Sequence, residues 1–329
     1  MSKIDFVITW VDGNDPKWQA EKKKYQSSNG QDNRNVRYRD YELLKYWFRA
    51  VDKYANWVNK IYFVTYGHIP SWLNIDNKKL VIVNHKDFIP SEYLPTFNSC
   101  TIELNIHRIK GLSENFVYFN DDVFINNYVK ETDFFKNNLP CDSAILSAIV
   151  PSGHDNFEHR LINNMNVINK HFNMKDCIRK NKGKWFNLKY GKEQIRTLLL
   201  LSFSNFPSIK YSHTAMSFKK TNFKTLWKLE PSIMNNSCVD KFRSFFGVNP
   251  WVILNWQMAS GNFMPRKVSF SKFYVMTDKN EEIIKDIKEN NHKIICLNDS
   301  DKIKNFDKVK SELINAFESK LNEKSSYER

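Results

Sequence analysis

Glycine, paired cysteines and long apolar runs are scarce in this sequence, and each shortage excludes a class of protein. Only 9 of the 329 residues are glycine, and the turn at residues 12–16 holds just one of them, too few for a Walker-type phosphate-binding loop. The 5 cysteines are widely spaced and include no C-x-x-C pair, which argues against a disulfide framework or a zinc site and favours a reducing cytosol. No apolar run reaches the roughly 18 residues that span a bilayer, and residues 1–6 lack the layout of a signal peptide. We therefore expect a cytoplasmic protein.

Positive charge, in contrast, is abundant. Lysine and arginine number 50 against 36 acidic residues, which gives a net charge of +14. This excess predicts an anionic partner, namely nucleic acid, an anionic membrane surface or a phosphorylated substrate. Hydrophobic residues make up 41% of the chain and aromatic residues 15%, as in a globular protein.

Short apolar runs alternate with amphipathic segments, which is the pattern of a doubly wound α/β fold. The runs typical of buried strands occupy residues 4–11, 60–65, 80–83, 116–119 and 293–297. Helical spacing is clearest over residues 16–25, 41–54, 101–109, 193–203 and 219–227. The sequence therefore predicts an α/β protein with a mainly parallel, Rossmann-like sheet.

We divide the chain into four segments. Residues 1–125 and 211–299 are predicted to form the two parts of the main α/β domain. Residues 126–210 are polar, with many Asn and Lys, and are predicted to form a mostly helical insertion. Residues 300–329 contain an amphipathic helix, which is expected to pack on the core or to lie on a membrane or a partner.

Two adjacent carboxylates follow the buried-type run at residues 116–119. Asp121 and Asp122 repel each other unless a cation, a basic side chain or a shared proton lies between them, and ligands bind at strand ends in open α/β sheets. One interpretation is a divalent metal, Mg²⁺ or Mn²⁺, that holds a phosphate or diphosphate. The other is a solvated turn, since Asn and Asp are common turn residues. Asp12 lies at a strand end in the same way.

Other candidate residues lie near predicted helix ends. Arg37 and Arg39 precede a helix, a position suited to an anion, although ordinary surface charges around a cap give the same pattern. Asn98 is a candidate helix cap. His107 follows Glu103 by four residues on one helix, a spacing that holds a ligand or forms an ordinary side-chain pair.

Four blocks of the sequence, in order, resemble the Stealth proteins. The blocks are residues 4–16 (IDFVITWVDGNDP), 37–125 with LPTFNS at 94–99 and FNDDV at 119–123, 213–249, and CLND at 296–299. The family comprises bacterial capsular-polysaccharide hexose-1-phosphate transferases. It is similar to the catalytic subunit of the N-acetylglucosamine-1-phosphotransferase that marks lysosomal enzymes. The blocks cover about half of the chain.

The resemblance implies that a sugar hydroxyl attacks the β-phosphorus of a UDP-sugar, with UDP-N-acetylhexosamine as the expected donor. UMP leaves, and a phosphodiester joins two sugars. Such a reaction needs a cation, a base and a donor to the phosphoryl group. Asp121 and Asp122 suit the metal, with Asp12 as a candidate third carboxylate from a neighbouring strand end, and Asp122 is also a catalytic candidate. His213, which the resemblance places at a functional position, suits the base, and Arg243 suits the phosphoryl oxygens.

The predicted substrate-binding residues come from strand ends, helix ends and the family blocks. They are Asp12, Arg37, Arg39, Asn98, His107, Asn298 and Asp299. The implied partners are a UDP-sugar donor, a glycan or lipid-linked saccharide acceptor, capsule-assembly proteins and the anionic inner face of the cytoplasmic membrane. We expect residues 126–210 to recognise the acceptor.

Two rival functions stay open at this point. A metal-dependent glycosyltransferase also places an acidic motif after a buried strand, but it transfers the sugar alone and releases UDP. A basic nucleic-acid-binding protein predicts clustered arginines and aromatic residues, whereas the lysines here are scattered and no such motif occurs. We therefore expect no nucleic-acid partner.

Overall fold

The computed structural model describes residues 2–26, 39–151 and 157–329, and at its centre lies a five-stranded sheet. The strands, in chain order, are β1 (Ile4–Thr9), β2 (Ile61–Thr65), β3 (Leu80–Asn84), β4 (Asn115–Phe119), β5 (Val123–Ile125), β6 (Phe135–Lys136), β7 (Leu139–Asp142), β8 (Met216–Lys219), β9 (Met264–Pro265), β10 (Ser271–Val275) and β11 (Ile294–Asn298). The helices, in chain order, are α1 (Pro16–Tyr25), α2 (Leu44–Tyr54), α3 (Ser99–Asn105), α4 (Glu131–Phe134), α5 (Phe157–His171), α6 (Met174–Lys180), α7 (Lys182–Trp185), α8 (Gln194–Leu200), α9 (Lys220–Leu229), α10 (Pro231–Val239), α11 (Trp251–Ala259), α12 (Glu281–Glu289) and α13 (Phe306–Glu318).

The central sheet has the strand order β3-β2-β1-β4-β8, with the first four strands parallel and β8 antiparallel at one edge. Every residue of β2 and β4 is buried, as expected for parallel strands covered on both faces. Trp47 of α2 and Phe317 of α13 belong to one apolar core. Phe223 of α9 and Ile253 of α11 belong to a second core. The predicted α/β fold with a mainly parallel sheet is confirmed.

Helix α2 begins at Leu44, three residues after the predicted start. Asp40 Oδ1 accepts a hydrogen bond from the backbone N–H of Glu42 at 2.7 Å, and Glu42 has a φ of 56°. This Asx turn keeps the preceding residues out of the helix. The turn leaves Asp40 and Tyr41 beside the carboxyl end of the sheet, where they contribute to the site described below.

Two smaller sheets flank the central one. In the first, β11 pairs parallel with β10 and antiparallel with β5. In the second, β7 pairs with β6 and β9. The run at residues 293–297 therefore does not extend the central sheet. Residues 120–122 carry the chain from β4 of the central sheet into β5 of the neighbouring one, which places the acidic pair between two sheets.

The C-terminal helix α13 packs on the core. Val309, Leu313 and Phe317 are fully buried, and the ring of Phe317 lies 5.6 Å from Tyr46 and 5.1 Å from Phe124. Of the two placements expected for this helix, the core placement is therefore the observed one. Across the described residues, no helix combines the length and apolar character needed to cross a membrane.

Candidate active site

A cleft of about 810 Å³ opens at the carboxyl ends of β1 and β4. Its polar lining residues include Arg39, Asp40, Ser99, Glu103, Asn120, Asp121, Asp122, Arg160, His213, Arg243, Asn298 and Asp299. Its aromatic lining residues include Trp10, Phe97, Phe242, Trp251 and Phe273. A cleft of this volume and mixed lining is typical of a small-molecule site. It brings together charged residues that are distant in the chain, such as Arg39 and Asp299, which lie 260 positions apart.

Asp121 and Asp122 lie in the turn between β4 and β5. Asp121 is accessible from the cleft, and Asp122 Oδ2 accepts a hydrogen bond from the Cys296 thiol at 3.4 Å. Asp122 Oδ1 is buried, and no group in the described part of the chain forms a hydrogen bond with it. Burial raises the pKa of Asp121 to about 7, with a further contribution from the charge of Asp122. Burial also raises the pKa of Asp122 to about 6.

These features of the acidic pair fit a divalent cation. Two carboxylates that resist ionisation side by side, one with an unpartnered buried oxygen, gain most from a positive charge between them. Among residues 2–26, 39–151 and 157–329, no group of three or more His, Cys, Asp or Glu side chains is arranged to hold a metal. A two-carboxylate site suits Mg²⁺, which fills its remaining positions with water and substrate oxygens.

Arg243 enters the cleft from the loop between α10 and α11. Its guanidinium donates a hydrogen bond to Ser99 Oγ at 2.6 Å. The neighbouring Phe242 stacks on Phe97 at a centroid distance of 5.4 Å, and the Phe97 N–H donates to the carbonyl of Lys241 at 2.9 Å. These contacts fix a permanent positive charge at the first turn of α3.

His213 lies just before β8 in an aromatic setting. Its ring centroid is 4.4 Å from that of Phe273 and 4.9 Å from that of Trp251. Its φ of 32° is uncommon for a residue other than glycine. Burial lowers the pKa of His213 to about 4, so the imidazole is neutral at neutral pH and able to accept a proton.

Arg39 and Asp299 form a two-pronged ion pair in the wall of the cleft. The guanidinium donates to the two carboxylate oxygens at 2.8 and 3.0 Å and to the carbonyl of Ser300 at 3.1 Å. Each partner therefore offsets the other's charge. Asn298 lines the cleft beside them. Arg37, predicted to bind substrate with Arg39, lies outside the described residues.

Comparisons with known proteins identify the chain's family. The sequence model of Stealth protein conserved region 1 matches residues 2–30, and that of conserved region 2 matches residues 37–142. The capsular polysaccharide phosphotransferase WcwK of Streptococcus pneumoniae is 46% identical over 332 residues, which cover 100% of this chain and 99% of that protein. This chain belongs to the Stealth family.

Other relatives of this Stealth protein match along nearly their whole length. The exopolysaccharide phosphotransferase cps2G of Lactiplantibacillus plantarum is 41% identical and covers 99% of this chain and 96% of its own. The receptor polysaccharide phosphotransferase WefC of Streptococcus oralis is 37% identical and covers 100% of both chains. Among solved structures, a crystal structure of the galactosyltransferase LgtC shares 11% identity with a TM-score of 0.42, over 96% of this chain and 95% of that chain.

Three predicted substrate-binding residues of this Stealth protein lie outside the cleft lining. Asn98 is buried and caps α3, because its side-chain oxygen accepts from the backbone N–H of Cys100 at 3.1 Å. Asp12 Oδ1 accepts from the N–H of Asn14 at 2.9 Å, so one of its carboxylate oxygens stabilises the turn that contains it. Asp12 follows Val11, which does line the cleft.

The placement of His107 corrects its predicted role. Its ring stacks on Phe223 at 5.4 Å, and burial lowers its pKa to about 3. Helix α3 ends at Asn105, and residues 106–108 form a 3-10 turn. The ring of His107 thus packs against α9, which carries Phe223. His107 is therefore a packed structural residue and is removed from the proposed site.

Glu103 is the residue that the sequence analysis undervalued. It lines the cleft with only 7% of its surface exposed, and burial raises its pKa to about 7. The charge of Arg243 and the nearby Ser99 oppose this rise, and the carboxylate lies 3.2 Å from the Tyr118 hydroxyl, which donates to Asn120 Oδ1 at 2.7 Å. Glu103 thus lies beside Ser99, the residue that binds Arg243. In the sequence, only the four-residue spacing between Glu103 and His107 drew attention to Glu103, and that spacing fitted an ordinary side-chain pair as well as a ligand site.

Arg160 was also missed by the sequence analysis. It belongs to α5, is only 5% exposed, and lines the cleft. Its guanidinium lies 6.0 Å from the ring of Phe157. Residues 126–210 showed no motif that marked this arginine, so only the packing of α5 against α11 reveals its position.

Proposed function

We propose that this Stealth protein transfers a hexose-1-phosphate, N-acetylhexosamine-1-phosphate, from a UDP-sugar to a hydroxyl of a capsular or cell-surface glycan. The acceptor oxygen forms a bond to the β-phosphorus, the bond from that phosphorus to the bridging oxygen breaks, and UMP leaves. The main support is that an acidic pair, a neutral imidazole and a fixed guanidinium line one cleft. Relatives of similar length bear phosphotransferase names.

The acidic pair has the first role in this proposal. Asp121 and Asp122 would hold Mg²⁺, or Mn²⁺ in its place, and the ion would neutralise the diphosphate of the donor. Asp122 presents its unpartnered Oδ1 for this purpose, while its Oδ2 is held by Cys296. The neighbouring Asp121 adds the second carboxylate from the open side of the cleft.

His213 has the second role, as the general base. A base must be unprotonated before the reaction, and burial keeps the pKa of this imidazole near 4. A low pKa also makes it a weak base, because proton transfer is most efficient when the pKa lies near the working pH. The negative charge of a bound donor would raise the pKa of His213 towards that range.

Arg243 has the third role, as a donor to the phosphoryl oxygens. Its charge persists at every physiological pH, and its planar guanidinium matches the geometry of a phosphate. Ser99 and Glu103 are positioning residues for it. Ser99 accepts from the guanidinium at 2.6 Å, and the nearby Glu103 interacts electrostatically with Arg243, so the direction of the guanidinium is set before the substrate arrives.

The rival reaction, transfer of the sugar alone, differs from the proposed reaction in its leaving group. The test is to incubate the full chain with several UDP-sugars, a divalent metal and candidate glycan acceptors, and to identify the released nucleotide by chromatography. UMP supports phosphoryl transfer, whereas UDP without UMP would replace the proposal with a glycosyltransferase. Asp121→Asn and Asp122→Asn serve as inactive controls for the metal requirement.

The cellular setting is part of the proposal. All five cysteines are free and buried, as in proteins of a reducing compartment. We propose that the protein works in the cytoplasm, at the inner face of the cytoplasmic membrane. There it would meet a glycan or lipid-linked saccharide acceptor and capsule-assembly proteins. The burial of the apolar face of α13 removes that helix as the membrane contact.

A further inference from the structure

A band of apolar side chains on and around α8 points away from the core. Within the described residues, the turn before this helix, the helix itself and the segment after it each contribute. The exposed fractions are 96% for Leu188, 58% for Ile195, 56% for Leu198, 72% for Leu199 and 52% for Phe203. We call these five residues the α8 patch. Single exposed apolar residues are normal on a protein surface, but a cluster of them marks an interaction surface.

The opposite side of the same segment is firmly held. Thr197 is fully buried, and its hydroxyl oxygen accepts from the backbone N–H of Leu146 at 3.1 Å. Leu200 and Leu201 pack against the core. Glu193, directly before the helix, forms an ion pair with Lys210 at 2.8 Å. The α8 patch is therefore exposed although the helix that carries it is packed firmly against the rest of the protein.

The segment that carries the α8 patch is rich in basic residues. Between residues 180 and 196 there are six basic residues and one acidic residue: Lys180, Lys182, Lys184, Lys189, Lys192 and Arg196 against Glu193. Lys189, Lys192 and Arg196 are exposed. Glu193, the one acidic residue, already has both Lys210 and Arg196 as partners, the latter at 3.1 Å. The segment that carries the patch is therefore strongly positive in charge.

Apolar side chains within a basic rim are the features by which a surface segment binds an anionic bilayer. A stable protein partner would instead bury about 800 Å² on each side, and nothing about a basic rim selects a protein over a lipid headgroup. We propose that the α8 patch seats this protein on an anionic membrane surface, with Leu198 and Leu199 entering the headgroup region. This proposal does not depend on the transferred group, because vesicle binding is measured without donor or acceptor.

The fold also relates the patch to the cleft. Lys210, the partner of Glu193, lies three residues before His213, and its backbone N–H donates to the carbonyl of Ile145 at 2.8 Å. The segment that leads to His213, the proposed general base, is thus attached to the N-terminal end of α8. The α8 patch is therefore connected, through the Glu193–Lys210 ion pair, to the segment that leads to His213.

The test is cosedimentation of the full chain with vesicles. One set contains phosphatidylcholine alone, and the other contains phosphatidylcholine mixed with phosphatidylglycerol. The test variant is Leu198→Ser/Leu199→Ser. The control is Leu229→Ser/Val239→Ser, which changes two residues that are 45% and 48% exposed on α9 and α10. Lys192→Glu is compared with Lys288→Glu on α12 for the charge contribution.

We expect binding to the anionic vesicles that weakens with salt, a loss of at least about tenfold in partitioning for Leu198→Ser/Leu199→Ser, and little change for the control. Unchanged melting temperatures show that the variants fold. Equal binding by test and control variants, or no binding of the wild type at low salt, would overturn the proposal. A wild-type dimer that the test variant converts to monomer would assign the α8 patch to a second copy instead.

Discussion

The Cys296 thiol donates a hydrogen bond to Asp122 Oδ2 at 3.4 Å, and this contact holds the turn between β4 and β5 against β11 at the proposed metal site. Cys296 lies on β11 and pairs with Val123 of β5, the residue after Asp122. The backbone N–H of Leu297 also donates to the Asp122 carbonyl at 2.8 Å. The fourth family block thus orients the carboxylate supplied by the second.

Replacing Cys296 tests this contact. Loss of a partner that orients a metal ligand typically lowers metal affinity about 10- to 100-fold. We therefore expect Cys296→Ala to need a higher Mg²⁺ concentration for half-maximal activity, whereas Cys296→Ser keeps a donor and stays closer to wild type. Cys141→Ala is the matched control, because Cys141 is also buried but lies on β7. Identical Mg²⁺ titrations for Cys296→Ala and the control would contradict a positioning role.

The acidic pair should destabilise the metal-free protein. Burial raises the pKa of both carboxyls in the folded state, to about 7 and about 6, above the unfolded value of about 3.9. The folded state then binds more protons, so stability falls as pH rises from about 4 to about 7. We expect Asp121→Asn to melt at a higher temperature than wild type at pH about 8 in EDTA, because it removes that cost.

Mg²⁺ should reverse this order. It should raise the melting temperature of the wild type, since a ligand of the folded state stabilises it, and leave Asp121→Asn nearly unchanged. Equal stabilisation of both proteins by Mg²⁺, or a less stable Asp121→Asn protein in EDTA, would count against a metal at this pair.

The pH dependence of turnover separates the carboxylates from the imidazole. Protonation of Asp121 and Asp122 below about pH 7 and 6 should displace the metal, so kcat/KM at limiting Mg²⁺ falls with acid in that range. Free His213, with a pKa of about 4, contributes only at lower pH. His213→Ala should lower the plateau about 10²- to 10⁴-fold and leave the acid limb in place. A higher Mg²⁺ concentration should move the acid limb of the profile to lower pH. An acid limb whose position does not change with Mg²⁺ concentration would exclude the two carboxylates as its cause.

The Ser99–Arg243 hydrogen bond predicts a graded series. Arg243→Ala should lower kcat about 10²- to 10³-fold with donor binding within about tenfold of wild type. Ser99→Ala loses one hydrogen bond to a charged group, which amounts to about 10- to 100-fold, and should act on kcat more than on donor KM. Thr225→Ala removes a hydroxyl on α9 as a control. A Ser99→Ala protein that loses donor affinity but keeps kcat would make Ser99 a binding residue instead.

Local chemistry explains why so much of the fold was predictable. Asp15 and Pro16 fixed the start of α1, where Asp15 Oδ1 accepts from the Trp18 N–H at 2.7 Å. Continuous apolar runs likewise revealed the buried strands, because parallel strands are covered on both faces. The pattern could not show which strands pair with each other. The pairing of β11 with β5 depends on tertiary packing, so the contact between Cys296 and Asp122 was not foreseen.

The sequence pointed to candidate site residues where a residue type in its setting required a physical explanation. Adjacent Asp121 and Asp122 needed an explanation in any fold, and the family blocks drew attention to His213 and Arg243. His107 was assigned from helical spacing alone, which could not show that its ring packs on Phe223 of α9. Arg160 was missed because a single arginine in a polar segment resembles any surface charge until α5 packs against the cleft.

The fate of the β-phosphate tests the central claim most directly. The full chain is incubated with a UDP-N-acetylhexosamine labelled with ³²P at the β-phosphate, with Mg²⁺ and a glycan acceptor, and the products are separated. Phosphoryl transfer predicts that the label enters the glycan, that unlabelled UMP is released, and that ³¹P NMR shows a phosphodiester between two sugars. Label retained in UDP beside a phosphate-free glycan product would contradict the account.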